Sequence, residues 1–270
     1  MKLHLVRLAM DRRALARTVR RGAWDEGYLL HAGLSAAFAA SPEAKPEIPL
    51  DSFCLDDTFG RGSDEGTLFV LGYSRCHEGE LRDALGPRGE ELVLELATRS
   101  MPAFAAGTEL RFRARVCPVT RTKRAGRAEP RRDGKGRARS REVDAWLAAR
   151  FEEWTEQPPR FEEPFARSAW EWTDRERVYG EWLARELQAG GEREKDGPPA
   201  ASLVDGSLHL ESFRRARMHR RGGGRIERPD ALLVGSLKVE DPGAFTALLA
   251  RGLGRHRAFG FGMLRVGSAV

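Results

Sequence analysis

The sequence predicts an α+β protein made of two ferredoxin-like units in tandem, joined through a basic hairpin and a helical insertion. Two observations carry this reading. The first half alternates strand and helix patterns in the order β-α-β-β-α-β, which is the ferredoxin-like order. The second half offers a helix, a long alternating strand, an apolar strand, a helix and a closing strand. These complete a second such unit if the preceding segment contributes one strand. A chain of 270 residues, 41% of them hydrophobic, can supply both cores.

The elements follow from local pattern. Residues 2–8 alternate, with Leu3, Leu5 and Arg7 on one face and His4, Val6 and Leu8 on the other, as a strand does. A helix starts at Asp25-Glu26, carries Tyr28, Leu29, His31, Leu34 and Phe38, and stops before Pro42 and Pro46. Residues 52–56 and 67–73 read as strands separated by a Gly/Asp turn. Residues 78–85 form a short helix closed by Gly86-Pro87, and 91–98 and 109–119 are alternating strands. The first unit is therefore expected to span residues 1–118. Residues 119–141 lack apolar periodicity and hold Gly126, Pro130, Gly134 and Gly136, so a hairpin or loop is expected. The next segment, 142–199, reads as a helical insertion and linker. Its helices cover 143–154 and 175–188, and Pro158, Pro159 and Pro164 act as breakers. The second unit is expected over residues 200–270. In its long strand, 202–218, simple alternation puts Leu208, Leu210, Ser212 and Arg214 on one face and His209, Glu211 and Phe213 on the other. A glycine turn at 221–225, a strand at 231–239, a helix opened by Asp241-Pro242 and a strand at 263–266 complete the chain.

Charge narrows the partner. There are 46 Lys and Arg against 40 Asp and Glu, a net charge of +6. The excess is local. Residues 121–141 hold ten Lys or Arg and two acids, and residues 214–228 hold seven arginines and one acid. Such stretches suit a polyanion. Cys54, Cys76 and Cys117 have neither disulfide nor metal-site spacing, so a reduced, cytoplasmic protein is expected. No His/Cys/Asp spacing resembles a metal site, and no stretch resembles a secretory leader or a membrane span. Of the tryptophans, Trp146, Trp154, Trp170, Trp172 and Trp182 could stack bases, but helical spacing favours core packing.

The closing segment is the most distinctive. Gly252, Gly254, Gly260 and Gly262 are interleaved with Arg251, Arg255, His256 and Arg257. One glycine suffices for a helix cap. Four, set among fork-shaped cations, suit close approach to a phosphate backbone.

Three features together resemble the CasE family, the CRISPR precursor-RNA endoribonucleases of type I-E Cascade. They are Tyr28-Leu29-Leu30-His31-Ala32-Gly33-Leu34 on the first helix, the basic stretch near the middle, and the run from Leu237 to Leu264 ending in the glycine-rich segment. Arg257 departs from that family, which usually has Lys there. The resemblance implies a tandem ferredoxin-like (RAMP, RRM-like) fold. It implies metal-independent cleavage of CRISPR repeat stem-loops by the RNA's own 2′-hydroxyl, leaving a 2′,3′-cyclic phosphate and mature guide RNA. It also implies retention as a Cascade subunit alongside other protein subunits, with no cofactor and no membrane. His31 is then the general acid or base, because imidazole titrates near working pH, and Tyr28, one turn earlier on the same face, positions the substrate. RNA contacts are expected from Arg121, Lys123, Arg124, Arg127, Arg131, Arg132, Lys135, Arg137 and Arg139, from Arg214, Arg215 and Arg217, and from Arg255, His256 and Arg257. The alternatives are a non-catalytic RNA-binding subunit of the same fold, or a basic RNA-associated module outside CRISPR. The second leaves the closing motif unexplained.

Overall fold

The computed structural model describes residues 2–18, 26–41, 47–56, 66–122, 141–154, 164–188, 199–219 and 225–268. The first sheet holds β1 (His4–Asp11), β2 (Ser52–Leu55), β3 (Thr67–Ser74) and β4 (Val93–Ser100) in the antiparallel order β2-β3-β1-β4. Helices α1 (Arg12–Thr18), α2 (Glu26–Ala37), α3 (Glu78–Asp83) and α4 (Gly89–Leu92) accompany it. Val6, Leu8 and Met10 of β1 pack on Leu30, Leu34 and Leu81 in one core. The predicted elements of this unit are present. Helix α1 was not expected, because β1 runs directly into it. Its first turn is capped by Asp11, whose Oδ1 accepts from the Arg13 and Ala14 amides at 2.7 and 3.0 Å. His77 proves to be the N-cap of α3, within a capping box.

The second sheet holds β5 (Glu109–Val116), β8 (Ala201–Leu203), β9 (His209–His219), β10 (Arg225–Val239) and β11 (Leu264–Ser268). Its order is β11-β5-β10-β8, with β9 also paired to β10. Two long helices, α6 (Pro164–Glu186) and α7 (Pro242–Arg251), contribute to its core. Two boundaries expected from the sequence are corrected here. Strand β5 belongs to the second sheet, between β10 and β11, and is the strand that unit needed. Alternation identifies a strand but not its sheet. The other correction concerns α6, which is no insertion. Val178, Tyr179, Trp182, Leu183 and Leu187 lie in the same core as Leu110, Phe112, Leu233 and Phe245. Pro164 opens that helix, as proline does in a first turn.

Strand β9 departs from simple alternation. Ser212 faces Leu232 and Leu210 faces Leu233, so Glu211 is an extra, bulged residue. The phase shift puts Leu210 and Phe213 together on the core side, and frees Ser212 and Arg214 for the opposite side.

A two-stranded ribbon, β6 (Val119–Thr122) with β7 (Arg141–Asp144), forms the root of the basic stretch and leads into α5 (Ala145–Trp154). The residues between, 123–140, lie outside those described. Asp144 locks the ribbon to the second unit. Its carboxylate accepts from the Trp146 amide at 2.9 Å, the Tyr179 hydroxyl at 2.9 Å and Arg175 at 3.2 Å. The Arg175 guanidinium lies 3.8 Å from the centroid of the Trp146 ring and 4.1 Å from that of Phe213. Trp146 and Trp182 are core residues and Trp172 is exposed; the side chains of Trp154 and Trp170 lie outside the described set.

The two units share a core. Leu3, Cys54 and Tyr73 of the first pack with Leu248, Leu249, Met263 and Leu264 of the second. Ser52 Oγ donates to the Leu249 carbonyl at 2.9 Å and the Tyr73 hydroxyl to the Leu264 carbonyl at 3.0 Å. Among the described residues no helix is long and apolar enough to cross a membrane. Asp144→Ala leaves Arg175 buried without its carboxylate, so unfolding free energy should fall by about 3–5 kcal/mol, measured by urea denaturation.

Candidate active site

Helix α2 presents Gly27, Leu30, Gly33, Leu34 and Ala37 to the core, which leaves Tyr28 and His31 on a flank, both partly exposed. Burial pushes the His31 imidazole below its ordinary value, so it is neutral at pH 7 in the RNA-free protein. Its Nδ1 is buried without a hydrogen-bond partner among the described residues, as is Ser35 Oγ one helical turn later. The His31 ring lies 5.7 Å from Phe259, centroid to centroid, and His256 lies 6.4 Å from the same phenyl ring.

Phe259 comes from the glycine-rich loop. After α7 the chain turns at Gly252, a helix cap with φ 71°, then runs through a single 3-10 turn, Arg257–Phe259, into β11. The loop is closed by Leu253 N–H donating to the Gly262 carbonyl and Gly262 N–H donating to the Arg115 carbonyl, both at 2.7 Å. Gly262 has φ 84°, and a Cβ there would stand 2.1 Å from the Leu253 carbonyl oxygen. At Gly260 a Cβ would meet Leu30 of α2 at 2.8 Å, so the loop sits directly on the helix that carries His31.

The amides of the four glycines are all used internally. They donate to the Leu248 carbonyl, the Glu186 carboxylate, the Arg257 carbonyl and the Arg115 carbonyl respectively. The sequence suggested a loop whose backbone approaches phosphate; here the glycines serve the loop's own closure and its packing on α2. What the loop offers outward is its side chains.

Two arginines and an imidazole converge on one carboxylate. Glu142 of β7 accepts from Arg255 at 2.9 Å and from Arg228 of β10 at 3.2 Å, and its Oε2 lies 3.1 Å from His256 Nε2. Burial alone would raise the Glu142 carboxyl; Arg255, His256 and Arg228 outweigh it and hold the group below the usual carboxylate value. Burial pushes the His256 imidazole down, against the pull of Glu142. Arg257 is exposed and its guanidinium donates to the Arg251 carbonyl at the end of α7.

A cleft of about 540 Å³ lies between the two sheets. Arg113, Arg115, Arg214 and Arg265 line it on one side, Leu55, Leu68 and Phe69 on the other. Arg115 grips Asp230 through two bonds of 2.8 Å, and Arg214 reaches the same carboxylate at 2.7 Å. Arg265 pairs with Asp56 at 3.3 Å and Arg113 with Glu211 at 2.5 Å. These arginines therefore have carboxylate partners: Arg113 and Arg115 tie strands of the second sheet together, and Arg265, through Asp56, and Arg214, through Glu26 at 3.4 Å, reach the first unit.

Of the residues expected from the sequence, the fold brings His31, Arg255, His256, Arg257 and the glycine loop together, with Tyr28 one turn from His31. It sends Arg214 into the cleft. Arg121 and Arg215 are exposed on β6 and β9, and Arg217 pairs with Glu227 at 3.3 Å. Lys123, Arg124, Arg127, Arg131, Arg132, Lys135, Arg137 and Arg139 lie outside the described residues. Glu142, Arg228 and Phe259 were missed by sequence reasoning. The one available signal was Phe259 inside a run of glycines.

A four-stranded ferredoxin-like sheet and a second, five-stranded sheet of related order, joined by a shared core and a glycine-rich closing loop, make this a tandem ferredoxin-like protein. A family model described as "CRISPR associated protein" matches residues 3–267. The chain belongs to that family, which bears out the placement that the first helix and closing loop implied. No curated protein matches. Solved structures that resemble it include a CRISPR endoribonuclease Cse3 bound to 19 nt RNA, at 21% identity over 98% of this chain and 99% of that one, with a TM-score of 0.52. A Thermus thermophilus Cse3 bound to an RNA representing a pre-cleavage complex gives 20% identity over 99% and 100%, with a TM-score of 0.55. Cas6e from Escherichia coli K-12 gives 19% over 98% and 100%, with a TM-score of 0.53. At these identities the likeness is one of fold.

Gly262→Ala should cost about 1–3 kcal/mol through its positive φ, and more through the clash with the Leu253 carbonyl. Gly267→Ala in β11, where a Cβ meets nothing within 4 Å, should be near neutral. Thermal denaturation of the two variants checks the difference.

Proposed function

We propose that the protein is a metal-independent endoribonuclease that cleaves CRISPR repeat stem-loops in precursor RNA and keeps the product as part of a Cascade assembly in the cytoplasm. The observation that carries this is the juxtaposition of the neutral, half-buried His31 with the cation-bearing glycine loop, in a chain of the CRISPR associated protein family. Solved relatives of the same fold, described as CRISPR endoribonucleases bound to RNA, support it.

The chemistry needs little from the protein. The 2′-oxygen of the nucleotide before the scissile bond attacks phosphorus as its proton leaves to a base. The P–O5′ bond breaks as an acid protonates the departing 5′-oxygen, and a 2′,3′-cyclic phosphate remains. The neutral His31 has a ring nitrogen able to accept a proton, and once protonated it can donate one. Tyr28, one turn away, orients the 2′-hydroxyl or the phosphate. Arg255 and Arg257 supply positive charge for the phosphorane, and the His256 imidazole adds to it when protonated. Residues 123–140 continue in sequence from the ribbon of β6 and β7, whose Val119 packs under Phe259, and a stem gripped through its phosphates by those residues would hold its base near His31.

His31→Ala should abolish cleavage of a labelled repeat hairpin in excess EDTA, with hairpin affinity changing by less than about tenfold. Wild type should leave a cyclic phosphate and fail on a 2′-deoxy substrate. Cleavage by His31→Ala, cleavage of the deoxy substrate or a strict Mg²⁺ requirement would remove the mechanism. Replacing Arg124, Arg127 and Arg131 with Ala should weaken RNA binding and flatten its salt dependence by about 0.7–0.9 slope units per lost phosphate contact. An unchanged slope would move the grip to residues 214–228.

A further inference from the structure

The sequence singled out His256 and Arg255 as RNA contacts, yet both are already engaged, and with a residue no motif pointed to. Glu142 uses both oxygens. Oε1 accepts from Arg255 at 2.9 Å, and Oε2 accepts from Arg228 at 3.2 Å and lies 3.1 Å from His256 Nε2. The group is mostly buried, with side-chain exposures of 18% for Glu142, 14% for His256 and 13% for Arg228. Charge pairs so sheltered are screened far less than surface pairs.

Two further observations say that this carboxylate serves a position rather than filling space. His256 has φ 62° and ψ 24°, the one non-glycine residue with positive φ among those described. Such a conformation is costly for a residue with a Cβ and persists where the surroundings hold it. The same loop turn puts Phe259 against both imidazoles, His256 and His31. Beneath this, Cys117 and Val119 at the root of the ribbon pack with Phe261 and Phe259 in a small separate core. Ribbon root, loop and catalytic helix thus meet at Phe259, and Glu142 is the polar clamp over that contact.

We propose that Glu142 is a positioning residue of the cleavage site: it holds Arg255 and fixes His256 beside the Phe259 that His256 shares with His31, and so makes His256 the second imidazole of the site. This rests on the reading of His31 as the catalytic centre. Glu142 touches no reacting atom. Its effect is on where the loop cations stand and how readily His256 holds a proton. The groups facing His256 are Glu142 from β7, Arg228 from β10 and Arg255 from the loop itself, with Phe259 and, beyond it on α2, His31. Glu142 favours the imidazolium and the two arginines oppose it. Removing the carboxylate therefore shifts the His256 titration to lower pH.

The test uses the full chain in three forms, wild type, Glu142→Gln and Glu142→Asp. Imidazole titrations are followed by NMR, with His256 assigned by its absence in His256→Gln. Single-turnover cleavage and hairpin affinity are measured alongside, and thermal denaturation verifies that each variant is folded. In Glu142→Gln the His256 midpoint should move to lower pH. Cleavage should slow by about tenfold or more with affinity within about threefold, and the inflection of the pH–rate profile should move in the same direction as the NMR midpoint. Glu142→Asp, which keeps the charge on a shorter arm, should fall between wild type and Gln in both readouts. It also supplies the test if Gln disturbs folding. An unmoved His256 midpoint overturns the proposal. So does a moved midpoint with unchanged cleavage, or cleavage that falls only in step with affinity. Failure of the underlying reading is separately visible, since His31→Ala in an otherwise wild-type chain would then still cleave, whatever Glu142 does to His256.

Discussion

The closure of the glycine-rich loop onto α2 is the contact on which the candidate site depends. Two backbone bonds, Leu253 to Gly262 and Gly262 to Arg115, tie the loop to the centre of the second sheet. The absence of a Cβ at Gly260 then lets it descend onto Leu30. His31 belongs to the first unit and His256 to the second. They share Phe259 because this loop spans the junction. A glycine that cannot be replaced without a backbone clash is thus a functional constraint, although its amide touches no ligand.

Charge is handled differently at the two places where arginines gather. In the cleft, Arg115 and Arg214 share Asp230 within the second sheet, while Arg265 holds Asp56 and Arg214 reaches Glu26, so those last two guanidinium groups also bridge the units. Their carboxylates offset the cost of burying cations, since an unpaired charge there would be far more expensive. At the loop, one carboxylate serves Arg255, Arg228 and His256. Two arginines against one carboxylate leave positive charge on the loop that packs on α2. The total of +6 in the sequence says nothing of this partition.

The ribbon explains how a basic segment of little internal pattern can be aimed. Val119 contributes to the small core under Phe259, while Asp144 binds Arg175, Tyr179 and the start of α5. Both arms are therefore anchored in the second unit, one on the loop and one on α6.

Much of this was legible in the sequence, for a physical reason. Period-two and period-3.6 apolar patterns, proline and glycine stops and the Tyr28–His31 spacing are local, and most of the elements they specify formed, although the strand expected over 202–218 is split into β8 and β9, β10 begins earlier than expected, and Pro164, expected as a breaker, opens α6. The C-terminal glycines were singled out, since four in eleven residues exceed what a cap requires, but they were read as an approach to phosphate, whereas their amides close the loop itself. Sheet membership was not local: β5 reads as a strand in either unit, and only pairing with β10 and β11 assigns it. The bulge at Glu211 was equally hidden, because alternation assumes an unbroken register. In the sequence, Glu142 was only the first residue of the expected helical insertion. It lies 113 residues from Arg255 and 86 from Arg228 along the chain, and no sequence pattern links charges at that separation. Local chemistry was set by the sequence alone. Which carboxylate neutralises which arginine, and which imidazoles share an aromatic ring, was decided by tertiary packing, because those contacts join segments whose proximity exists only once both sheets are built.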